Sequence, residues 1–303
     1  MTTLNMDTGP SAAASRASAA RPGCIVCGAT PRTPLYRVLE QCGECGFVRA
    51  DLAIGEDEIK KLYQEDYFRG TEYGDYLADC RVHRKNFAYR FEELTRLAGS
   101  LESLFEIGCA YGFWLECAAG RGVRCAGVDL CAEAVAHAVK VFGQHASAED
   151  FLCKDLQPGA YQAFCMWDTI EHLAHPELFV DRIHQLLPSG GWFFATTGDI
   201  GSKTARRRGS RWRMIHPPTH LQYFSTATMR LFLERRGFEV VAIHSTPMYR
   251  SMRGTLSGLL ALGKGLPRRA AWLADKLLPG AIQDRVGFWL DLGDIMLVAA
   301  RKP

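Results

Sequence analysis

The sequence predicts an α/β fold: a doubly wound sheet of seven strands, a small cysteine-built module ahead of it, and a helical insertion before the last strand. Three observations lead there. From Leu104 onward, short apolar runs alternate with helical patterns, the signature of a parallel sheet with crossover helices. Two C-x-x-C pairs lie within residues 23–50, before that alternation begins. A Leu- and Gly-rich stretch, 246–287, separates the run FEVVAIHS from the final run IMLVAARK.

Composition sets the outer limits. The chain has 303 residues, 48% apolar and 23% charged, with a net charge of +3. That balance excludes wholesale disorder and collagen-like repeats, and the charge is too small to demand a polyanionic partner. A chain of this length buries about three quarters of the surface its unfolded form exposes, so disulfides are not needed for folding. Eleven cysteines, four of them in C-x-x-C pairs, suit thiolate metal ligands in a reducing compartment better than a disulfide framework. No apolar run approaches the roughly 20 residues that span a bilayer. The first 22 residues lack an apolar signal core, and the expectation is a soluble cytoplasmic protein with a disordered tail over 1–22.

Taken in order, residues 23–50 form the cysteine module and 51–100 a polar, aromatic-dotted helical connector or lid. The strands of the main domain, 101–303, are LFEIG (104–108), RCAGVDL (124–130), a weak one near His145–Phe151, AFCMW (163–167), GWFFATT (191–197), FEVVAIHS and IMLVAARK. Helices fall between them, PELFVDRIHQLL and TATMRLFLERRG among them. Residues 199–223 read as a long loop. The last strand is expected to run antiparallel.

Cys24 and Cys27 are followed after fourteen residues by Cys42 and Cys45. Each C-x-x-C turn sets two sulfurs on one side of a tight knuckle, with Gly28 and Gly43 where the turns want flexible backbone. Two facing knuckles give the closed tetrahedral thiolate site of structural zinc. A redox C-x-x-C would open a helix after a strand and would not come twice.

After the first strand of the main domain the chain reads Glu106-Ile-Gly108-Cys109-Ala110-Tyr111-Gly112-Phe-Trp. Glycines at a strand-to-helix turn let backbone approach a ligand and expose the amides of the helix start. The nicotinamide fingerprint needs a small residue at 113, where Phe stands. The spacing acidic-x-G-x-G-x-G fits, with Ala110 in place of the middle glycine, which requires a negative φ there. Asp129 ends the second strand, where a carboxylate can take both hydroxyls of a ribose.

On these residues the chain resembles the class I S-adenosylmethionine-dependent methyltransferases, in the branch with an N-terminal zinc-ribbon-like module. EIGCAYGFWL resembles that family's first motif, GVDL (with Leu130) its second, MWDTIEHL the motif after strand four, LLPSGGWFFATTGDIGS the turn before strand five, and HPPTHLQYFS the segment beyond it. The resemblance runs from about residue 24 to 303 and implies a Rossmann-like methyltransferase sheet. It implies that Glu106 orients the turn and the amino group of the methionine part, that Gly108 and Gly112 lie under that part, and that Asp129 holds the ribose. Ala148 and Glu149 would border the adenine, and Trp167 would line the methionine end.

Asp168, Glu171 and His172 lie at i, i+3 and i+4 beyond strand four, so one helical turn would direct all three the same way. Methyl transfer requires an aligned acceptor and, for a hydroxyl, removal of its proton. Imidazole suits that step, which makes His172 the candidate base, the alternative being that the group caps a helix start. The trio also resembles the Glu-x-x-Glu-His metal site of quinone-biosynthesis O-methyltransferases, with Asp168 for the first Glu; the resemblance leaves two readings, a divalent ion at Asp168, Glu171 and His172, or a site that works without metal, as in many relatives with a D-x-x-E-H sequence.

Between Ile200 and Leu233 stand seven Lys or Arg and no acid. This loop either receives an anionic group of the acceptor or is simply solvated, with Trp212 buried. His216, His220 and Tyr223 are further acceptor-binding candidates. Tyr63, Tyr67, Phe68, Tyr73 and Tyr76 either cover the cofactor as an aromatic lid or pack the module against the core. In the insertion, Leu256, Leu259 and Leu260, then Ala270, Leu273, Ala274 and Leu277, recur at helical spacing. Such stripes pack on a core or a dimer partner, or else form an acceptor channel or a membrane-surface contact.

The expected activity is methyl transfer to a small or medium-sized metabolite, most simply at oxygen, by a monomer or homodimer. Two other classes compete: an RNA methyltransferase gripping phosphates with its basic loop, and a non-catalytic S-adenosylmethionine-binding or zinc scaffold. Against the first, the strand-four motif is Asp-Thr-Ile-Glu and not the Asn/Asp-Pro-Pro-Tyr/Phe type, and no Pro-Cys pair of the cytosine type is present.

Overall fold

A computed structural model describes residues 23–52, 76–262 and 265–303. The expected tail over 1–22 and most of the aromatic lid, including Tyr67, lie outside the described residues.

The cysteine module is a small antiparallel sheet. Strands β1 (Arg32–Leu35), β2 (Leu39–Cys42) and β3 (Val48–Ala50) follow one another. A fourth strand, β9 (Gln222–Tyr223), arrives from far along the chain and pairs with β3, Val48 opposite Tyr223 and Arg49 opposite Gln222. This corrects the expectation of one loop over 199–223: that segment also holds a short helix, α5 (Lys203–Arg208). Two residues of strand are too few to display a period, and their partner is non-local, so no sequence window contains the signal.

The main sheet has the order β10-β13-β8-β7-β4-β5-β6. Its strands are β4 (Ser103–Ile107), β5 (Arg124–Asp129), β6 (His145–Ala148), β7 (Ala163–Trp167), β8 (Trp192–Gly198), β10 (Glu239–Ser245) and β13 (Ile295–Arg301). Strands β4 to β8 pair in parallel, and β13 lies antiparallel between β8 and β10, as the sequence leads one to expect. Both faces are covered. Phe105, Phe164 and Phe193 point to one layer with Val180 and Ile183 of helix α4 (Pro176–Leu186) and Met229 and Phe232 of helix α6 (Thr226–Glu234). The neighbouring residues Leu104, Cys165 and Phe194 point to the other. There they meet Phe87 and Leu94 of helix α1 (Cys80–Ala98), Trp114 of helix α2 (Phe113–Ala119), and Ala134 and Val135 of helix α3 (Ala132–Phe142). Burial on both faces is why these strands read as unbroken apolar runs instead of alternating ones.

The insertion is a hairpin, β11 (Met248–Ser251) with β12 (Gly287–Leu290), enclosing helices α7 (Met252–Leu262), α8 (Leu266–Leu277) and α9 (Gly280–Arg285). Asn86 of α1 anchors it, donating to the Tyr249 carbonyl and accepting the Tyr249 amide at 2.7 Å. Its apolar stripe does not pack as one unit: Leu256 is buried, whereas Leu259, Leu273 and Leu277 are exposed.

Candidate active site

The turn between β4 and α2 is built on two left-handed glycines, Gly108 (φ 78°) and Gly112 (φ 81°). A Cβ on Gly108 would lie 2.6 Å from Thr169 Oγ1, and one on Gly112 would lie 2.6 Å from the Ala138 methyl group. Glycine is therefore required twice over, by backbone angle and by close approach. Ala110 departs from the expectation of a negative φ: its φ is +44°. The strain is held by Asp129, whose Oδ2 accepts the Ala110 amide at 2.8 Å while Oδ1 accepts the Cys131 amide at 2.9 Å. Burial raises the Asp129 pKa, and these backbone bonds act against that rise. Cys109 and Tyr111 of the turn are buried, while Leu130, just past Asp129, is exposed. In the β5–β6 register Asp129 stands opposite Ala148, and Glu149 beside it is ion-paired with Lys154 at 2.7 Å.

Among the described residues, Glu106 Oε2, Trp114 Nε1 and Trp167 Nε1 are buried near the turn without hydrogen-bond partners. Burial, reinforced by Asp129, holds the Glu106 carboxyl well above the usual carboxylate range. A glycine cradle, an acid at the end of the adjacent strand and unpartnered buried polar atoms suit a nucleoside with a charged amino-acid tail.

Beyond β7 the three acid–base candidates do not share one helical turn. Asp168 takes a left-handed conformation (φ 51°), and only Ile170–His172 form a 3₁₀ turn. The Asp168 carboxylate leads back to Arg90 Nη2 at 2.6 Å and to Thr196 Oγ1 at 2.9 Å. Burial opposes its ionisation, but Arg90 and Thr196 outweigh that and keep its pKa low. Glu171 is 2% exposed, and among the described residues neither carboxylate oxygen has a hydrogen-bond partner. Burial, then the charge of Asp168, pushes its pKa up to about 8. The group that does converge is Glu171, His172 and His220, one ligand-type atom of each lying within 4.8 Å of the others. The expected divalent-ion trio is thus corrected: Asp168 is spent on Arg90, and His220 stands in its place.

The imidazole geometry fixes the tautomers. His172 Nδ1 lies 2.8 Å from the Thr219 carbonyl and His220 Nδ1 lies 2.9 Å from the Met214 carbonyl. A carbonyl only accepts, so each Nδ1 carries a proton, and in the neutral ring the lone pair lies on Nε2. The two rings meet edge to face with centroids 4.6 Å apart, and His216 lies 3.7 Å from His220. Burial, with His172 and His216 adding to it, pushes the His220 pKa down to about 2.

Of the other acceptor candidates, Trp212 is a packing residue: it is 2% exposed, and its indole donates to Asp294 at 2.9 Å. Tyr223 is also buried, donating to the His220 carbonyl. Arg206, Arg207 and Arg208 lie exposed on α5, and Arg213 pairs with Asp294. Tyr76 stacks on His83, ring centroids 3.9 Å apart, and against Tyr111 of the glycine turn. Sequence reasoning passed over Arg90 and Thr169. Arg90 had a signal, since it shares the spacing of the apolar residues Phe87 and Leu94 on a helix and is itself 4% exposed. Thr169 had none.

In the cysteine module the four sulfurs come together. Cys24 Sγ lies 3.6 Å from Cys45 Sγ, and Cys27 Sγ lies 3.5 Å from Cys42 Sγ. These separations approach the edge of a tetrahedron with metal–sulfur bonds of about 2.3 Å, so the donor set fits zinc. The left-handed knuckle glycines are Gly28 (φ 81°) and Gly46 (φ 76°), not Gly43, because the strained position follows the second cysteine of each pair.

The sequence matches the family described as "Methyltransferase domain" over residues 82–243. It is 29% identical over 108 residues to the ubiquinone biosynthesis O-methyltransferase of Chromobacterium violaceum, covering 34% of this chain and 47% of that one. To the enzyme of the same name from Burkholderia pseudomallei it is 31% identical over 152 residues, 46% of this chain and 65% of the other. The chain therefore spans about half the length of the first of these relatives. Among solved structures, a SAM-dependent methyltransferase from Archaeoglobus fulgidus superposes with a TM-score of 0.51 at 18% identity, covering 75% of this chain and all of that one. This likeness is one of fold.

Proposed function

Because the chain belongs to the methyltransferase domain family, we propose that it transfers a methyl group from S-adenosylmethionine to a hydroxyl of a small or medium-sized metabolite. The observation that carries this reading is the close approach of Gly108 to Thr169, which sets the glycine turn directly against the segment bearing Asp168, Glu171 and His172. S-adenosylmethionine supplies an electrophilic methyl group on a sulfonium. The residues of the chain do the rest. The turn at Gly108–Gly112 and Asp129 hold the nucleoside, and Glu106 and Trp167 bring unpartnered polar atoms to its methionine end. His172 takes the acceptor's proton on Nε2, its ring aimed by the Thr219 carbonyl. Two carboxyl groups lie beside it. Burial and the charge of Asp168 push the Glu171 pKa up to about 8, and the Asp168 carboxylate is paired with Arg90. Cys24, Cys27, Cys42 and Cys45 would hold a zinc ion that serves the fold of the cysteine module.

The test is production of S-adenosylhomocysteine from labelled S-adenosylmethionine with a panel of phenols and hydroxylated sugars. Binding of S-adenosylhomocysteine followed by turnover on one of these is expected. Absence of binding overturns the reading, and a salt-dependent shift of RNA with methylation of that RNA replaces the metabolite by nucleic acid.

A further inference from the structure

Helix α8 is seated on the protein by small residues. Ala271 is 2% exposed and Ala274 half-buried, at i and i+3, and Leu278 just past the helix end is half-buried on the same side. A second stripe, Leu266, Ala270, Leu273 and Leu277, recurs at intervals of four, three and four, and so shares one face of the helix. That face is open. Leu266 is 80% exposed, Leu273 51% and Leu277 70%, in a helix that keeps an alanine for its buried side. Around the helix, Arg269 and Lys276 stand beside the stripe and Trp272 lies beyond them, the Lys276 ammonium 4.4 Å from the centre of its ring. Residues 246–287 hold seven Lys or Arg and two Asp, a net +5 in a chain whose total is +3. The insertion thus gathers apolar exposure and positive charge on one attachment, and the remainder of the chain is net negative.

We propose that α8 lies in the surface of an anionic lipid bilayer, its leucine stripe at the boundary of headgroups and acyl chains and its basic residues among the phosphates. Exposed leucines flanked by Arg and Lys are what such a helix presents. Charge selects this occupant over a second copy of the chain, which would set +5 against +5, whereas a bilayer bearing anionic headgroups attracts the same residues. No helix among the described residues is long and apolar enough to cross a membrane, so the contact is one of lying on the surface.

Sedimentation of the full-length protein with vesicles tests this. One set is phosphatidylcholine alone, and the other contains about one third phosphatidylglycerol. Binding to the anionic set only, falling as salt rises, is expected. Leu266→Ser/Leu273→Ser/Leu277→Ser should bind at least about tenfold more weakly while keeping wild-type melting and S-adenosylhomocysteine affinity, since its changes are all on open surface. Arg269→Glu/Lys276→Glu should lose the preference for anionic vesicles. Failure of the wild type to bind anionic vesicles at low salt overturns the proposal, as does equal binding by the leucine variant. A dimer that dissociates in the leucine variant assigns the stripe to a second copy instead. The vesicle readout is independent of methyl transfer, so its failure and that of the proposed activity are distinguishable.

Discussion

The carboxylate of Asp129 accepts the amide of Ala110 at 2.8 Å, so the acid that ends the second core strand also fastens the left-handed turn that follows the first. One residue thereby shapes the turn and, in the proposed function, also holds the nucleoside. Asp129→Ala should weaken S-adenosylhomocysteine binding by about 1.5–3 kcal/mol, through lost charge-assisted bonds to ribose and a loosened turn. Calorimetry giving wild-type affinity for this variant would remove Asp129 from the site. Ala110→Gly, which relieves the positive φ, should retain binding.

His172→Ala should lower kcat by roughly 10²–10⁴ and leave cofactor affinity close to wild type, because the role proposed for the ring is toward the acceptor and not the sulfonium. Single-turnover rates beside a binding titration separate the two effects. A variant with unchanged kcat makes His172 structural, with Thr219 as its reason for being there.

Arg90 and Asp168 meet at 2.6 Å with the guanidinium side chain 4% exposed. Arg90→Met leaves a largely desolvated carboxylate without its counter-charge and should cost about 3 kcal/mol of stability. Adding Asp168→Asn should recover much of that loss. Urea unfolding of the single and double variants gives the comparison, and a single variant as stable as wild type would show the pair to be unimportant.

Cys42→Ser should release zinc and unfold the module locally, leaving the main sheet largely folded. Because β3 of the module pairs with β9, the change should also reach the acid–base segment, where the Leu221 amide bonds the Glu171 carbonyl at 2.8 Å. Metal analysis and hydrogen exchange over residues 216–224 report the two effects. Protein prepared without chelator and containing no zinc would refute the assignment.

His83 is stacked between Tyr76 and Phe113, and burial, aided by the charge of Arg90, brings its pKa from 6.5 down to about 4. Between those values the unfolded chain binds a proton that the native ring refuses, so stability falls as pH drops through this window. The contribution is at most about 1.4 kcal/mol per pH unit. His83→Phe should lose less stability than wild type between neutral pH and the lower end of the window, by chemical denaturation at each pH. Parallel pH profiles for the two proteins would mean that His83 titrates normally.

The main sheet was legible because its strands are buried on both faces and its turns carry glycine where only glycine fits; LFEIG, AFCMW and GWFFATT announce themselves locally. The glycine turn, Asp129 and the four cysteines were legible for a related reason, since each is a short pattern whose chemistry depends on neighbours in sequence. The acid–base group was not. Spacing placed Asp168, Glu171 and His172 on one helical turn, but the left-handed backbone at Asp168 broke that turn, and Arg90, seventy-eight residues earlier, claimed the carboxylate. His220 took the vacant place only because β9 pairs with β3 and brings its segment under Glu171. Sequence alone determined which residues could do chemistry and the sheet that would carry them. Tertiary structure decided which of them meet, because burial and long-range pairing set the charge state and direction of each group, and neither is written in any local window.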